Sequence, residues 1–256
     1  MIGAVENAFS IVEAVDRVDG GVTAIAEETG LAKSTVHDHL ETLEAAGYVV
    51  RDGPGVRLSY RFLRMGLRLR RRFPHSGEIE RRVRRLAERT GERAHFAVFE
   101  RSTAVFLFCE RGDDAVRTDV HPGEAVPLHA TATGKAMLAS LPEARLDEVL
   151  ADVEFEPLTG DTIRAEGEFR DELARVREAG LATSDSEYIT ELWTASAAVS
   201  DAAGDLLGAM SLSAPATRAR QAGVQDELTT ALRETVNELQ LDVTYSRADE
   251  GTDRSG

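Results

Sequence analysis

The segment Gly20–Asp52 reads GGVTAIAEETGLAKSTVHDHLETLEAAGYVVRD and predicts two short helices joined by a tight turn. Apolar residues such as Val36 and Leu40 recur at helical spacing in its second half. Gly30 stands between the two helical patterns, where a tight turn needs a residue that tolerates positive φ. The segment therefore predicts a helix-turn-helix whose second helix begins at Lys33.

A hairpin pattern follows directly. Two β-favouring runs, Gly47–Arg51 and Val56–Tyr60, flank the turn cluster Asp52–Gly55. Helix, turn, helix and hairpin in this order predict a winged helix-turn-helix, which presents the start of its second helix to a DNA major groove. We predict that seven residues bind DNA, the last two through the phosphate backbone: Lys33, Ser34, Thr35, His37, Asp38, Arg51 and Arg57.

Two simpler readings stay open for this segment. An ordinary three-helix bundle with a solvated face would carry much of the same pattern. Arg51 and Arg57, each taken alone, are equally compatible with solubilising charge.

Composition limits the class of protein. The chain has 256 residues and 42% hydrophobic content, enough for one large domain or two ordinary ones. No apolar run is long enough to span a bilayer and no leader pattern is present, so we expect a cytoplasmic protein without membrane contact. The single cysteine, Cys109, excludes a disulfide framework and a multi-cysteine zinc site. His37 and His39 diverge on a helix, and we expect neither a metal nor a cofactor.

The net charge of −15 at first argues against a nucleic-acid partner, but its distribution does not. Residues 51–93 contain fourteen arginines and five acids, whereas the flanking segments are acidic. Such a basic segment is expected of a DNA-contacting region, and a charged linker helix without a ligand is the alternative. Only Lys33 and Lys135 are lysines, a composition that we expect of a protein from a high-salt cytoplasm.

The order of elements predicts an α+β protein with two domains. We assign residues 1–60 to the winged helix-turn-helix, 61–76 to a linker helix, 77–245 to an effector-binding domain and 246–256 to a flexible tail. In the second domain we predict an amphipathic helix at Ile79–Leu86, followed by six strands and four helices. Strands are expected at Ala94–Phe99, Ala104–Cys109, Ala115–Val120, Ala182–Tyr188, Thr194–Val199 and Leu206–Leu212, and helices at Thr133–Ser140, Glu143–Leu150, Ala165–Ala179 and about Val224–Leu241.

Three separated stretches suggest a small-molecule site. Thr131 and Thr133 flank a predicted helix start, where free N–H groups favour a carboxylate or a phosphate. The stretch around Gly134 is not a Walker A loop, because the upstream glycine and the Ser/Thr for magnesium are missing. Ser184–Glu187 begins a strand-like run, and Ser211 and Ser213 alternate on one strand face. Each stretch alone is better explained by capping or solvation, and only the three together suggest a pocket with hydroxyl and amide donors suited to an acid.

The chain resembles the IclR family of transcription regulators over nearly its whole length. LAKSTVHDHLETLEAAGYV at 31–49 is similar to the family's helix-turn-helix pattern. VPLHATATGKAMLA at 126–139 and GAMSLSAP at 208–215 are similar to blocks of its effector domain. The resemblance implies a GAF-like effector domain and a homodimer or homotetramer. It also implies regulation of a catabolic operon through double-stranded DNA and a small-molecule effector, often an organic acid.

The resemblance also implies where the effector binds. It assigns to the pocket Ala132, Thr133, Ser184, Thr194, Ser211 and Ser213, to which we add Asp185 and Trp193. Ser184 stands where relatives commonly have an acid, and Asp185 is the adjacent candidate to replace it. Trp193 departs from the family pattern and either lines the pocket or belongs to the core.

Parts of the sequence are also compatible with an enzyme or with a sensor that does not bind specific DNA. An enzyme would need a base–nucleophile pair, and only His129 with Thr131 or Lys135 is suggestive, so we expect no catalysis. A sensor or interaction module without specific DNA binding is the stronger rival, because Asp38, Glu41 and Glu44 lie along the recognition helix. If the protein is a regulator, ligand binding must favour one arrangement of the DNA-reading domains over another.

Overall fold

The computed structural model describes the backbone of residues 2–115 and 120–252 and the side chains of residues 2–115 and 120–245. The chain divides into two compact units, with the boundary between Phe73 and Pro74.

The N-terminal unit is a winged helix-turn-helix. Its elements are α1 (Gly3–Arg17), α2 (Val22–Thr29), α3 (Lys33–Ala45), the antiparallel hairpin β1 (Val49–Asp52) and β2 (Gly55–Leu58), and α4 (Arg61–Arg72). The turn between α2 and α3 depends on Gly30, which adopts φ of 70° and caps α2 with its N–H. The predicted helix-turn-helix and hairpin are confirmed, and α1 is an additional helix.

One apolar cluster holds this unit together. The faces that α1, α2 and α3 bury meet the hairpin around Ile11, Ile25, Val36, Leu40 and Val56. Ile11, Ile25 and Val36 are fully buried, so the spacing of four from Val36 to Leu40 marks the inward face of α3. The outward face of α3 is therefore free for other contacts.

Helix α4 buries none of its residues within the unit. Its first turn is attached to the hairpin side, because the Arg61 guanidinium donates to the Ala46 carbonyl at 2.7 Å and lies over the Tyr48 ring. Phe62 adds a ring contact with Tyr48, with centroids 5.5 Å apart. The remainder of α4 projects both arginines and large apolar side chains into solvent.

The C-terminal unit is an α+β domain, as predicted. Its helices are α5 (Ser76–Thr90), α6 (Ala132–Ala139), α7 (Glu143–Leu150), α8 (Glu166–Ala179), α9 (Ala216–Ala219) and α10 (Val224–Thr252). Its strands are β3 (Arg93–Glu100), β4 (Thr103–Arg111), β5 (Ala125–Pro127), β6 (Ala182–Asp185), β7 (Leu192–Ser200) and β8 (Leu206–Pro215). The strands form one antiparallel sheet in the order β5-β4-β3-β8-β7-β6.

Helices cover both faces of this sheet. Helices α5 and α10 pack against each other and against β3, β4, β7 and β8. On the other face, α6, α7 and α8 share a core with the sheet that includes Phe106, Met137, Leu146, Phe169 and Ala209. The register of the strands therefore decides which side chains point toward α6.

Two predicted boundaries differ from the structure, and a third prediction is not tested by it. The strand expected at Ala182–Tyr188 ends at Asp185, because Ser186 adopts φ of 64° and turns the chain. Helix α10 does not end near Leu241 but continues to Thr252, into the segment expected to be a flexible tail. The strand expected at Ala115–Val120 lies mainly outside the described residues.

Candidate effector pocket and DNA-binding surface

Two rows of polar side chains cross the sheet on the face covered by α6. In the first row, Arg93 on β3 stands opposite Ser213 on β8, which stands opposite Thr194 on β7 and then Ser184 on β6. In the second row, His95 stands opposite Ser211, which stands opposite Ser196. Directly opposed residues of an antiparallel pair point to the same face, so register alone gathers these groups.

The N-terminal end of α6 adds backbone donors to this face. Thr131 is the N-cap, and its hydroxyl accepts a hydrogen bond from the Gly134 N–H at 3.1 Å. Among the hydrogen bonds between described residues, none has the N–H of Ala132 or Thr133 as donor. These first-turn N–H groups lie at the positive end of the helix dipole, a position that favours an anionic oxygen.

The two rows and the helix start enclose a pocket. Six of the eight predicted effector-binding residues line it: Ala132, Thr133, Ser184, Thr194, Ser211 and Ser213. Thr194 and Ser213 hydrogen-bond each other at 3.0 Å through their hydroxyls. The remaining lining is mainly apolar, with Phe106 and Leu192 among its members. The pocket thus combines an apolar body with a few directed polar groups, as ligand sites commonly do.

The structure does not bring Asp185 or Trp193 into this lining. Asp185 points instead to Arg220, whose guanidinium nitrogen lies 3.0 and 3.1 Å from its two carboxylate oxygens. Trp193 precedes Thr194 on β7, so its side chain leaves the opposite face of the sheet, where it is buried. The core interpretation of Trp193 is the one that the structure supports.

His95 is the polar residue of the pocket that sequence reasoning missed. It is 3% exposed, and its ring packs against Phe106 with centroids 5.0 Å apart. Neither ring nitrogen has a hydrogen-bond partner among the described residues. Burial, reinforced by the positive charge of Arg93, lowers the pKa of His95 to about 3, so its imidazole is neutral near pH 7.

A buried ion cluster lies next to the pocket. The ammonium of Lys135 on α6 is 2.7 Å from Glu187 Oε1 and 3.4 Å from Glu172 Oε1. Burial raises the pKa of Glu187, although Lys135 and a hydrogen bond with Ser184 act in the opposite direction. Burial also opposes the charge of Glu172, but Arg175 and Lys135 outweigh it and lower the pKa of that carboxyl. Lys135 is therefore a buried cation that binds acidic side chains of the same domain.

The predicted DNA-binding residues lie together on the N-terminal unit. Lys33, Ser34, His37 and Asp38 are exposed at the start of α3, and Thr35 is partly exposed. His37 and Asp38 also approach Glu41, and potential metal-ligand atoms of the three lie within 4.8 Å of one another. Exposed acidic groups commonly cluster in this way without an ion. The N-terminal half of α3 therefore presents both positive and negative side chains to solvent.

Both wing arginines are held by acids of the same unit. Arg51 Nε lies 3.1 Å from Glu44 Oε2, and Arg57 Nε lies 3.3 Å from Asp52 Oδ2. Arg57 also stacks over the Tyr60 ring at 5.4 Å. All four charged side chains are well exposed, and such pairs are weak in water, so a phosphate can compete for either arginine.

The basic segment at 51–93 divides at the domain boundary. On α4, five arginines with helical spacing form one exposed stripe: Arg61, Arg64, Arg68, Arg71 and Arg72. On α5, Arg82 binds Glu78, Glu238 and Asp242 instead, and Arg89 binds Glu234. The alternative of a charged helix without a ligand therefore fits α5, while α4 keeps an exposed basic face.

The net charge is distributed unequally between the two units of the chain. The N-terminal unit carries ten basic and ten acidic residues, so the excess of fifteen negative charges belongs to the C-terminal unit. A neutral unit with a local arginine stripe is compatible with DNA, whereas the acidic unit repels it. No helix in the described part of the chain has both the length and the apolar character needed to cross a bilayer.

A winged helix-turn-helix followed by a pocket-bearing α+β domain defines a ligand-responsive transcription regulator. Comparison with protein families agrees in both units: the IclR helix-turn-helix domain matches residues 4–53, and the bacterial transcriptional regulator IclR C-terminal domain matches residues 76–241. The chain belongs to the IclR family, whose members regulate transcription of catabolic operons.

Individual relatives extend over nearly the full length. The chain is 29% identical over 249 residues to a probable regulator named ArcR from Halobacterium salinarum, covering 94% of this chain and 93% of that protein. It is 30% identical to the regulator BhcR of Paracoccus denitrificans, covering 91% and 86%. The crystal structure of Thermotoga maritima IclR superposes with a TM-score of 0.80 at 25% identity, covering 96% of this chain and 100% of that one.

Proposed function

We propose that this regulator binds operator DNA in the cytoplasm and is controlled by a small carboxylic acid held in the pocket beside α6. The observation that carries the proposal is the convergence of the α6 N-terminus and the hydroxyls of Thr194, Ser211 and Ser213 on one partly apolar pocket. The helix start would receive the carboxylate, and the hydroxyls would complete its hydrogen bonds.

A solved relative supports an acid as effector. The homologue from Microbacterium hydrocarbonoxydans was crystallised with 4-hydroxybenzoate; it has a TM-score of 0.77 and 23% identity to this chain. The apolar part of the pocket, which includes Phe106, Val126 and Leu192, suits the hydrocarbon body of an acid of that kind. A binding role rather than catalysis is favoured, because no hydrogen bond between described residues joins His95 to a serine.

For DNA, we propose that the exposed start of α3 enters the major groove. Lys33 has no ion pair or hydrogen bond among the described residues and would reach a base edge or a phosphate. Arg51 and Arg57 would exchange their acidic partners for phosphates, and the α4 stripe would add further backbone contacts. Serine, threonine and histidine on the same turn supply hydrogen-bonding groups for bases.

We also propose that the protein acts as a homodimer or a homotetramer. Large apolar side chains are exposed on one face of α1, where Ile2, Val5 and Phe9 follow helical spacing. Others are exposed on α4, including Leu63 and Leu69. Contiguous apolar patches of this kind mark interaction surfaces, and two copies would read two half-sites.

Calorimetric titration and thermal unfolding with a panel of small acids test the effector. We expect an acid that binds the wild type to lose its affinity in Thr194→Val, which removes a pocket hydroxyl at nearly constant volume. Thr183→Val is the matched control, because Thr183 is exposed on the other face of β6. Equal binding by both variants would place the ligand elsewhere.

Mobility-shift titration on the chain's own upstream DNA tests the DNA contacts. Arg64→Gln with Arg68→Gln should weaken binding to operator and random DNA equally and reduce the salt slope by about 0.9 per lost phosphate contact. Arg84→Gln is the control, because Arg84 is paired with Glu80 and Glu110 on the acidic unit. Absence of specific binding by the wild type would favour a sensor that does not read DNA.

Regulation requires that the same acid change DNA affinity. An effector shifts the equilibrium only by the difference between its affinities for the DNA-bound and free forms. A saturating acid should therefore change the operator dissociation constant of the wild type and leave that of Thr194→Val unchanged.

A further inference from the structure

Polar groups of the pocket differ in whether they have hydrogen-bond partners within the protein. The hydroxyls of Thr194 and Ser213 already hydrogen-bond each other, and Ser184 donates toward the Ala130 carbonyl at 3.4 Å. His95 differs, because its two ring nitrogens are buried and have no partner in the described part of the protein. A buried polar group without a partner loses its hydration and gains nothing in return.

We infer that His95 is a specificity-determining residue of the effector pocket and hydrogen-bonds a second polar group of the acid, a hydroxyl or a carbonyl. The inference rests on the proposed function, because it takes the carboxylate to be held at the α6 N-terminus. It adds that the pocket discriminates between acids of similar size by that second group.

The position of His95 supports this role. It belongs to the second row and stands directly opposite Ser211, next to the first row that contains Ser213 and Thr194. It therefore reaches a different part of the ligand from the hydroxyls of the first row. Its ring is fixed against Phe106, and its nitrogens are too deeply buried to reach bulk water. Any partner for them must therefore enter the pocket.

The chemistry of the ring indicates the kind of partner. Because burial keeps the imidazole neutral, it offers one donor and one acceptor rather than a positive charge. A hydroxyl group can satisfy either nitrogen, and a carbonyl can satisfy the protonated one. A second carboxylate would also accept from the protonated nitrogen, but the neutral ring leaves its negative charge uncompensated, which is costly in a buried site.

Calorimetry on the full chain with matched pairs of acids tests the inference: propionate against lactate, and benzoate against 4-hydroxybenzoate. We expect the oxygenated member of at least one pair to bind the wild type about 10- to 100-fold more tightly, since sites built to hydrogen-bond a group reject analogues that lack it. In His95→Phe that ratio should fall to about one, while the affinity for the unoxygenated acid changes by less than about threefold.

A second measurement takes its readout from the wild type, and a variant is needed only to assign the signals of His95. The chain has six histidines, so ¹⁵N-histidine labelling gives six imidazoles to follow by NMR. The nitrogens of His95, assigned by the loss of its signals in His95→Gln, should shift when lactate or 4-hydroxybenzoate saturates the pocket and remain those of a neutral ring.

The outcomes separate the two proposals. If acids bind and Thr194→Val weakens them, but the oxygenated and plain members bind alike or His95 does not shift, the role of His95 is wrong and the acid pocket stands. If none of the four acids binds the wild type, the proposed effector class is wrong and the inference falls with it.

Discussion

Lys135 and Glu187 form an ion pair in the interior of the effector-binding domain, with Nζ and Oε1 2.7 Å apart and the lysine side chain 1% exposed. Glu172 shares the same ammonium at 3.4 Å. Glu187 therefore depends on this one cation, whereas Glu172 is also held by Arg175 at 2.8 Å. Lys135 belongs to the helix whose first turn lines the effector pocket. A cluster of this kind is more effective at fixing geometry than at adding stability, because desolvation offsets the attraction.

Lys135→Met should destabilise the effector-binding domain by about 3–5 kcal/mol, because it leaves the buried carboxylate of Glu187 without its cation. Chemical unfolding followed by circular dichroism measures the change. Arg145→Met is the control, since Arg145 pairs with Glu148 on the surface and should change the free energy of unfolding little. The double variant Lys135→Met with Glu187→Met should recover part of the loss, and equal stability of Lys135→Met and wild type would contradict the assignment.

The buried His95 should make stability fall on acidification. Its folded-state pKa of about 3 lies below the unfolded value of about 6.5, so below pH 6.5 the unfolded chain takes up a proton that the folded chain refuses. Stability is therefore highest above pH 6.5 and decreases toward pH 3. Between pH 7 and pH 5 the wild type should lose about 2 kcal/mol more than His95→Phe.

Unfolding titrations at the two pH values measure this difference. His121→Phe serves as the control, because it removes an exposed histidine that does not line the pocket. Parallel pH profiles for wild type and His95→Phe would show that His95 is hydrated or protonated in the native protein.

Local pattern was sufficient to predict the N-terminal unit. The spacing of Val36 and Leu40 selects the buried face of α3, and Gly30 permits the turn that precedes it. Both signals lie within one stretch of chain and depend on backbone geometry and burial alone. The outward position of Lys33 and His37 follows from the same helix.

The pocket and the charge pattern depend on distant pairings, which local pattern does not contain. His95 enters the pocket because β3 pairs with β8, more than a hundred residues later. Asp185 alternates with Ser184 on β6 and stands opposite Trp193, so it leaves the pocket face, and Arg220 binds its carboxylate there. Arg82 and Arg89 of α5 are neutralised by acids of α10, so counting charge along the chain overstated the basic surface.

Replacing the acid that is paired with a wing arginine should increase the affinity for DNA. Glu44→Gln frees Arg51 and removes a negative charge from the DNA-facing side, so binding to operator and random DNA should tighten about fivefold, or roughly 1 kcal/mol. Mobility-shift titration at fixed salt measures it. Glu13→Gln on α1 removes the same charge outside the predicted surface and should have a smaller effect. Equal effects of the two variants would mean that total charge, not Arg51, determines the change.

Gly134 should be irreplaceable at the start of α6. A Cβ added there would lie 2.2 Å from the Leu128 carbonyl oxygen and 2.3 Å from its Cα, and neither backbone atom can move aside. Gly134→Ala should therefore lower the free energy of unfolding by about 3 kcal/mol or more and displace the helix start that lines the pocket. Gly167→Ala on α8 is the control, because nothing lies within 4 Å of its added Cβ and alanine favours a helix.

Thermal unfolding with and without a bound acid separates the two effects of Gly134→Ala. We expect a lower midpoint and no stabilisation by an acid that stabilises both the wild type and Gly167→Ala. Because the helix start supplies the free N–H groups of Ala132 and Thr133, its displacement removes the donors that the carboxylate needs. A stable Gly134→Ala protein that still binds the acid would show that α6 tolerates a larger separation from Leu128 than the contact distances allow.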